Sequence, residues 1–143
     1  MKDPFLRQRI TYKRLLSEYR KHKQLIVAVD FDNTVFDYHE KGFTFPKIIK
    51  LLKKCNKHNF KLVVFSGSAA ERHQAIQTHL ANAGVHISGI NTDVIDWHPK
   101  KELDWTRSKI YYNILLDDRA GLASAYKTLK KVMNKIDRKH KKI

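Results

Sequence analysis

The sequence predicts an α/β domain built on a mostly parallel sheet with helices on both faces. Three observations lead there. Short apolar, β-branched runs at 25–29, 62–65 and 110–116 lack the alternation of a half-solvated strand and suit strands buried on both sides. The segments between them repeat apolar residues at helical spacing. Strands and helices also alternate along the chain, which is the pattern of a parallel sheet.

Taken in order, the first helix is expected over 8–22, where Ile10, Leu15, Leu16 and Tyr19 lie beneath a basic outer face. Residues 25–29 form the first strand. Residues 33–45 hold aromatics and Gly42 without a clear period and read as a loop or short hairpin. A helix over 46–58 opens on Pro46, which suits a first turn. Its apolar side carries Ile48, Ile49, Leu51, Leu52 and Cys55, so Cys55 reads as a core thiol rather than a reactive one. Strand 62–65 ends in Ser66-Gly67-Ser68. Ser68 and Glu71 have the spacing of a capping box, opening a helix that runs to about Asn82 and closes at Gly84. Residues 85–90 read as a third, weaker strand, and 91–108 fit no element. A fourth strand covers 110–116, and a last helix over 120–136 turns Leu122, Tyr126, Leu129 and Met133 inward.

A chain of 143 residues without internal repeats suits one domain: a basic N-terminal helix (1–23), a core (24–126) and a basic C-terminal helix and tail (127–143). Its composition, 42% hydrophobic and 30% charged, is that of a globular protein. No apolar run nears the ~20 residues that cross a bilayer, and residues 1–23 lack the apolar core of a secretory leader. The single cysteine, Cys55, excludes an internal disulfide. A cytoplasmic protein with no membrane partner and no disulfide-linked partner is the expectation. The net charge of +15 is uneven: 1–23 hold eight Lys/Arg against two acids, 127–143 eight against one, and 24–126 13 against 11. Such ends either meet polyanions such as nucleic acid or are solvated helix faces that keep the chain soluble.

In a parallel sheet, functional groups gather beyond the carboxyl ends of the strands. Asp30, Ser66 and Asp117 each stand just past a strand, so they are expected to converge. Acids at one edge repel unless a cation joins them; open carboxylate geometry suits a hard divalent ion, Mg²⁺ where phosphate is also present. Ser66, Gly67 and the following helix N-terminus offer a hydroxyl, free N–H groups and a positive dipole end to a phosphate. Lys109 serves this edge only if its loop folds back over it. Singly, each feature has a plain reading: Asp-x-Asp as a turn or helix cap, Ser66 as a turn residue, Lys109 as a solvated lysine, Asp117-Asp118 as a cap. In this order, at successive strand ends, they point to phosphate chemistry.

The stretches "DFDNT" (30–34), "VVFSGS" (63–68), Lys109 and "ILLDDRAG" (114–121) follow the order of the four motifs of the haloacid dehalogenase superfamily. Over nearly all of 24–126 the chain resembles its phosphatase branch. The resemblance implies a Rossmann-like three-layer sandwich and Mg²⁺-dependent phosphoryl transfer through an aspartyl-phosphate. Asp30 would be the nucleophile, and Asp32 would protonate the leaving oxygen and then activate water. Ser66 would hold a phosphoryl oxygen and Lys109 balance its charge, with Phe31 and Gly67 also at the substrate. Asp117 and Asp118 would bind Mg²⁺ with Asp30 and the backbone carbonyl of Asp32. Asn33 stands where this branch often has glycine, a mild departure because asparagine tolerates left-handed backbone angles.

The intervals between the motifs are filled by the elements already assigned, so no separate cap domain is expected. A lid would come from 33–45 and 91–108, where Trp97, His98 and Trp105 stack on a base or plug the edge of the core. The expected activity is hydrolysis of a nucleotide or other small phosphomonoester. The alternative is a nucleic-acid 3′-end phosphatase: capless relatives in polynucleotide kinases also end the fourth motif in Asp-Asp-Arg. Two rivals come from other classes. A receiver-type signalling domain needs its phosphoacceptor aspartate after a middle strand, where this chain has Ser66 and Asn91, and a binding module would keep the fold without chemistry. His73 and His79 read as helix-surface residues, without metal-ligand spacing. Arg119 either contacts substrate or pairs with an aspartate.

Overall fold

A computed structural model describes residues 2–96 and 108–141. A 3₁₀ turn, Pro4–Leu6, leads into α1 (Gln8–His22). Then follow β1 (Ile26–Asp30), α2 (Pro46–Lys57), β2 (Lys61–Phe65), α3 (His73–Asn82), β3 (Gly89–Ile90), β4 (Ile114–Leu116) and α4 (Leu122–Lys141). The four strands form one sheet in the order β3-β2-β1-β4, and every pairing is parallel.

Strand alternation sorts the core into two layers. Val27, Val29, Leu62, Val64, Ile114 and Leu116 share one face, where they meet the buried sides of all four helices. Ile26, Ala28 and Val63 turn to the other face, which is covered by Val94, Ile95, Ile110, Tyr111 and Tyr112. The handedness of parallel connections explains the split. The steps β1 to β2 and β2 to β3 run the same way across the sheet, so α2 and α3 lie together. β4 sits on the far side of β1, so the return from β3 crosses the opposite face. Among the described residues that third layer is extended chain rather than helix. Trp97, His98 and Trp105 lie outside the described residues.

Local signals set several boundaries. α1 spans 8–22 as expected. Gly84, at φ +82°, closes α3 with its N–H on Ala81 O, and a Cβ there would meet Lys53 Cε at 2.9 Å. Cys55 is fully buried, and desolvation pushes its thiol up to about 12, as befits a core residue. No helix among the described residues is long and apolar enough to cross a membrane.

Other boundaries differ for reasons that lie far off in sequence. The third strand is only two residues long because the Asn56 side chain takes both backbone groups of His86, at 2.8 Å each. Val85 and Ile87 are still buried, but outside the ladder. Residues 110–112 are also outside the ladder: the Tyr111 N–H donates to Asp93 Oδ1 at 2.8 Å. The capping box does not form. Ser68 accepts a hydrogen bond from Arg72 Nη1 at 2.7 Å, and α3 is entered through a 3₁₀ turn, Ala70–Arg72, with no side-chain cap.

Candidate functional site

The sheet register sets the site. Asp30 pairs across from Phe65, and Val29 from both Val64 and Leu116. One step further along their strands are Asp30 and Asp117, and Ser66 follows one residue beyond Phe65. Asp30, Asp117 and Asp118 each offer a carboxylate oxygen, all within 4.8 Å of one another. Burial, a hydrogen bond with Asp118 and the nearby charges of Asp117 and Asp118 push the Asp30 carboxyl from 3.8 up to about 7.

The turn after β1 is tight. Phe31 O accepts from the N–H groups of Thr34, Val35 and Phe36, and Asn33 N–H donates to Phe36 O at 2.8 Å. Asn33 sits at φ +62°, the left-handed angle expected of it. The turn points Thr34, fully buried, between two of the acids. Its hydroxyl lies 3.3 Å from Asp30 Oδ2 and 3.2 Å from Asp118 Oδ1, donating to one of them, and accepts the Asp118 N–H at 3.1 Å. Thr34 thus ties the two acids, which are 88 positions apart, into one unit. It is quoted within "DFDNT", yet nothing in its spacing marks it as a site residue.

Asp32 faces elsewhere. Its carboxylate takes a bidentate bond from Arg72, Nη1 to Oδ2 at 2.8 Å and Nη2 to Oδ1 at 2.7 Å, and is not one of the three clustered carboxylates. Hydrogen bonding to Asp32 raises the affinity of the Arg72 guanidinium for its proton above the ordinary value. The guanidinium also lies 5.3 Å, 5.4 Å and 5.8 Å from the ring centres of Phe31, Phe36 and Tyr38. Arg72 is the residue that sequence reasoning misses: its partner is 40 positions away and no motif names it.

Ser66 is held by Asn91. Its N–H donates to Asn91 Oδ1 at 3.0 Å, and Asn91 Nδ2 donates back to Ser66 O at 2.6 Å. Ser66 Oγ accepts the Ser68 N–H at 3.1 Å. An open cleft of about 600 Å³ is lined by Asp30, Ser66, Gly67, Asn91 and Lys109 among others. The loop before β4 therefore does fold back, and Lys109 lines the same cleft as Asp30.

Two sequence expectations are corrected. The Phe31 side chain is 2% exposed, stacked on Phe36 at 5.0 Å, so any substrate contact at Phe31 falls to its backbone. His79 is not a surface residue: it is half-buried, edge-on to Phe31 at 5.6 Å and to Phe36 at 5.1 Å. Arg119 is exposed, and its N–H donates to Asp117 Oδ1 at 2.9 Å.

No protein-family model matches the chain, nor does any curated protein. A solved structure, that of a conserved protein from Bacteroides thetaiotaomicron, superposes with a TM-score of 0.58 at 22% identity, over 76% of this chain and 91% of that one. The fold is shared.

Proposed function

We propose that the protein is a metal-dependent phosphomonoester hydrolase of the haloacid dehalogenase type, working through an aspartyl-phosphate on a nucleotide or other small phosphomonoester. The observation that carries the reading is the convergence of Asp30, Asp117 and Asp118 on one point beside a cleft shared with Ser66, Gly67 and Lys109.

The donor set fits a hard divalent cation. Three carboxylates within 4.8 Å of one another, with no Lys or Arg side chain among the described residues hydrogen-bonded to them, leave negative charge that oxygen-seeking Mg²⁺ neutralises. Asp30, Asp117 and Asp118 would hold it, and when bound it would offset the charge of an entering phosphate.

The remaining chemistry belongs to the side chains. A carboxylate oxygen of Asp30 attacks phosphorus, forming the Asp30–phosphate bond as the bond to the leaving oxygen breaks. Ser66, steadied by Asn91, and Lys109 stabilise the phosphoryl oxygens as charge builds on them. Asp32 delivers a proton to the leaving oxygen and then takes one from the water that cleaves the acyl phosphate. Arg72 holds the Asp32 carboxylate in position through its two hydrogen bonds.

Turnover of p-nitrophenyl phosphate is the direct test. Steady multiple turnover that needs Mg²⁺, stops in EDTA and is lost in Asp30→Asn supports the reading. Full activity in EDTA ends it, and a single stoichiometric phosphorylation without release would indicate a receiver-type domain. A screen of mononucleotides, sugar phosphates and 3′- or 5′-phosphorylated oligonucleotides then identifies the substrate.

A further inference from the structure

The chain's charge is concentrated in one layer of the fold. Helices α1, α2 and α4 hold 17 of the 29 Lys/Arg and two of the 14 acids; the rest of the chain has twelve of each and is neutral. The excess is therefore not a property of the termini alone, since α2 contributes five lysines and no acid. Both acids are already paired, Glu18 with Arg14 at 2.7 Å and Asp137 with Lys54 at 2.8 Å.

These helices bury their apolar sides against the sheet, so the lysines form the outer face. Along α4, Lys127, Lys131, Lys135 and Lys139 are exposed at four-residue steps, each a rise of about 6 Å. A groove follows α4 on each flank. On the α1 side it passes Arg9, Tyr12 and Lys131, then Arg20, Lys135 and Lys139. On the α2 side it passes Lys47, Lys50 and Lys130, then Lys53, Lys57 and His140. Tyr12 and Tyr126 lie in these grooves beneath Lys131 and Lys130, at 4.4 Å and 5.7 Å.

From this face we infer a second site: a surface that binds the phosphate backbone of nucleic acid, distinct from the Asp30 cleft and sharing no lining residue with it. A row of like charges at i, i+4 costs a helix about 0.2–0.5 kcal/mol per pair. Solubility alone is served by charges of mixed sign, so an unopposed row calls for an opposing polyanion. Two parallel basic grooves with aromatic rings in them match a charged strand carrying stackable bases. A bilayer surface is the poorer match: Leu129, Val132, Met133 and Ile136 face the core at 0–4% exposure, leaving α4 no apolar side to insert. The inference does not depend on the phosphatase reading.

Anisotropy of labelled single- and double-stranded 20-mers with the full chain, across a salt series, tests it. The expected result is saturable binding with a steep salt dependence. Replacing Lys127, Lys131, Lys135 and Lys139 together by Gln should weaken binding at least tenfold and flatten the log–log salt slope by about 3, at ~0.7–0.9 per lost contact. Among single changes, Lys135→Gln should weaken binding and Lys41→Gln, off the helices, should not. If the fourfold variant melts early, Lys47, Lys50 and Lys57 replaced by Gln give the same reading from α2. Unchanged affinity and slope in folded variants overturn the inference, as does equal weakening by Lys41→Gln or binding to phosphatidylserine vesicles but not to oligonucleotides. Asp30→Asn should retain oligonucleotide binding, so the two functions fail separately.

Discussion

Arg72 closes on Asp32 through two bonds of 2.7 and 2.8 Å, and the same guanidinium reaches Ser68 at 2.7 Å. One side chain thereby fixes the second aspartate of the first motif to the loop after β2. A planar fork makes this arrangement and a lysine cannot. Arg72→Lys should leave Asp32 present but misplaced, and an ångström of misplacement costs up to ~10²-fold in rate. In p-nitrophenyl phosphate assays kcat should fall more than KM rises. An unchanged kcat would remove Arg72 from the mechanism.

Thr34 is predicted to be worth more than its size suggests. Thr34→Val keeps the shape but removes the hydroxyl between Asp30 and Asp118, and leaves the Asp118 N–H without its acceptor. Losing such a bond at a buried group costs about 1–3 kcal/mol. The variant should melt earlier, and Mg²⁺ titrated against its melting temperature should show weaker binding. Thr34→Ser should recover both. Wild-type Mg²⁺ affinity in Thr34→Val would mean that the acids hold their places without the bridge.

Asn113, 3% exposed, is a purely structural counterpart. Its Oδ1 accepts the Ile26 N–H at 2.7 Å, and its Nδ2 donates to Glu18 Oε1 at 3.1 Å. One residue thus aligns the start of β1 with β4 and α1. Asn113→Ala strands a buried N–H at the head of the central strand, with an expected loss of about 1–3 kcal/mol in urea or thermal unfolding. A loss below ~0.5 kcal/mol, the usual range for surface changes, would show that the strand start does not need it.

What could be read from the sequence was local. The ends of α1, the αL angle of Asn33, the stop at Gly84 and the buried Cys55 each depend on a few neighbouring residues. The convergence of Asp30 and Asp117 also followed from strand ends in a parallel sheet, and the structure adds Asp118 to them. What could not be read depends on partners far along the chain. Ser68 looked like a cap because its local pattern fits one, but Arg72 binds it while holding Asp32, 40 positions away. Asn56 shortens β3 from 30 positions away. Lys109 had no local signal for which way its loop folds. The basic ends were visible, but their union with α2 into one surface needed the helices in place.

The Asp30 carboxyl makes metal-free stability depend on pH in an unusual sense. Its folded value is raised from 3.8 to about 7, chiefly by burial and then by Asp118 and Asp117. Between those values the folded chain keeps a proton that the unfolded chain has released. Stability without metal should therefore fall as pH rises from about 4 to about 7 and level off above, the reverse of an acid held by a salt bridge. Mg²⁺ favours the ionised form, so its stabilising effect should be small at pH 5 and large at pH 8, growing with concentration. Asp30→Asn, which cannot ionise, should flatten the metal-free curve over that window and blunt the Mg²⁺ response. Melting temperatures from pH 4 to 9, with EDTA or with Mg²⁺, provide the check. A metal-free curve that is flat in the native chain, or equally sloped in Asp30→Asn, would mean that Asp30 is not the group that carries the proton.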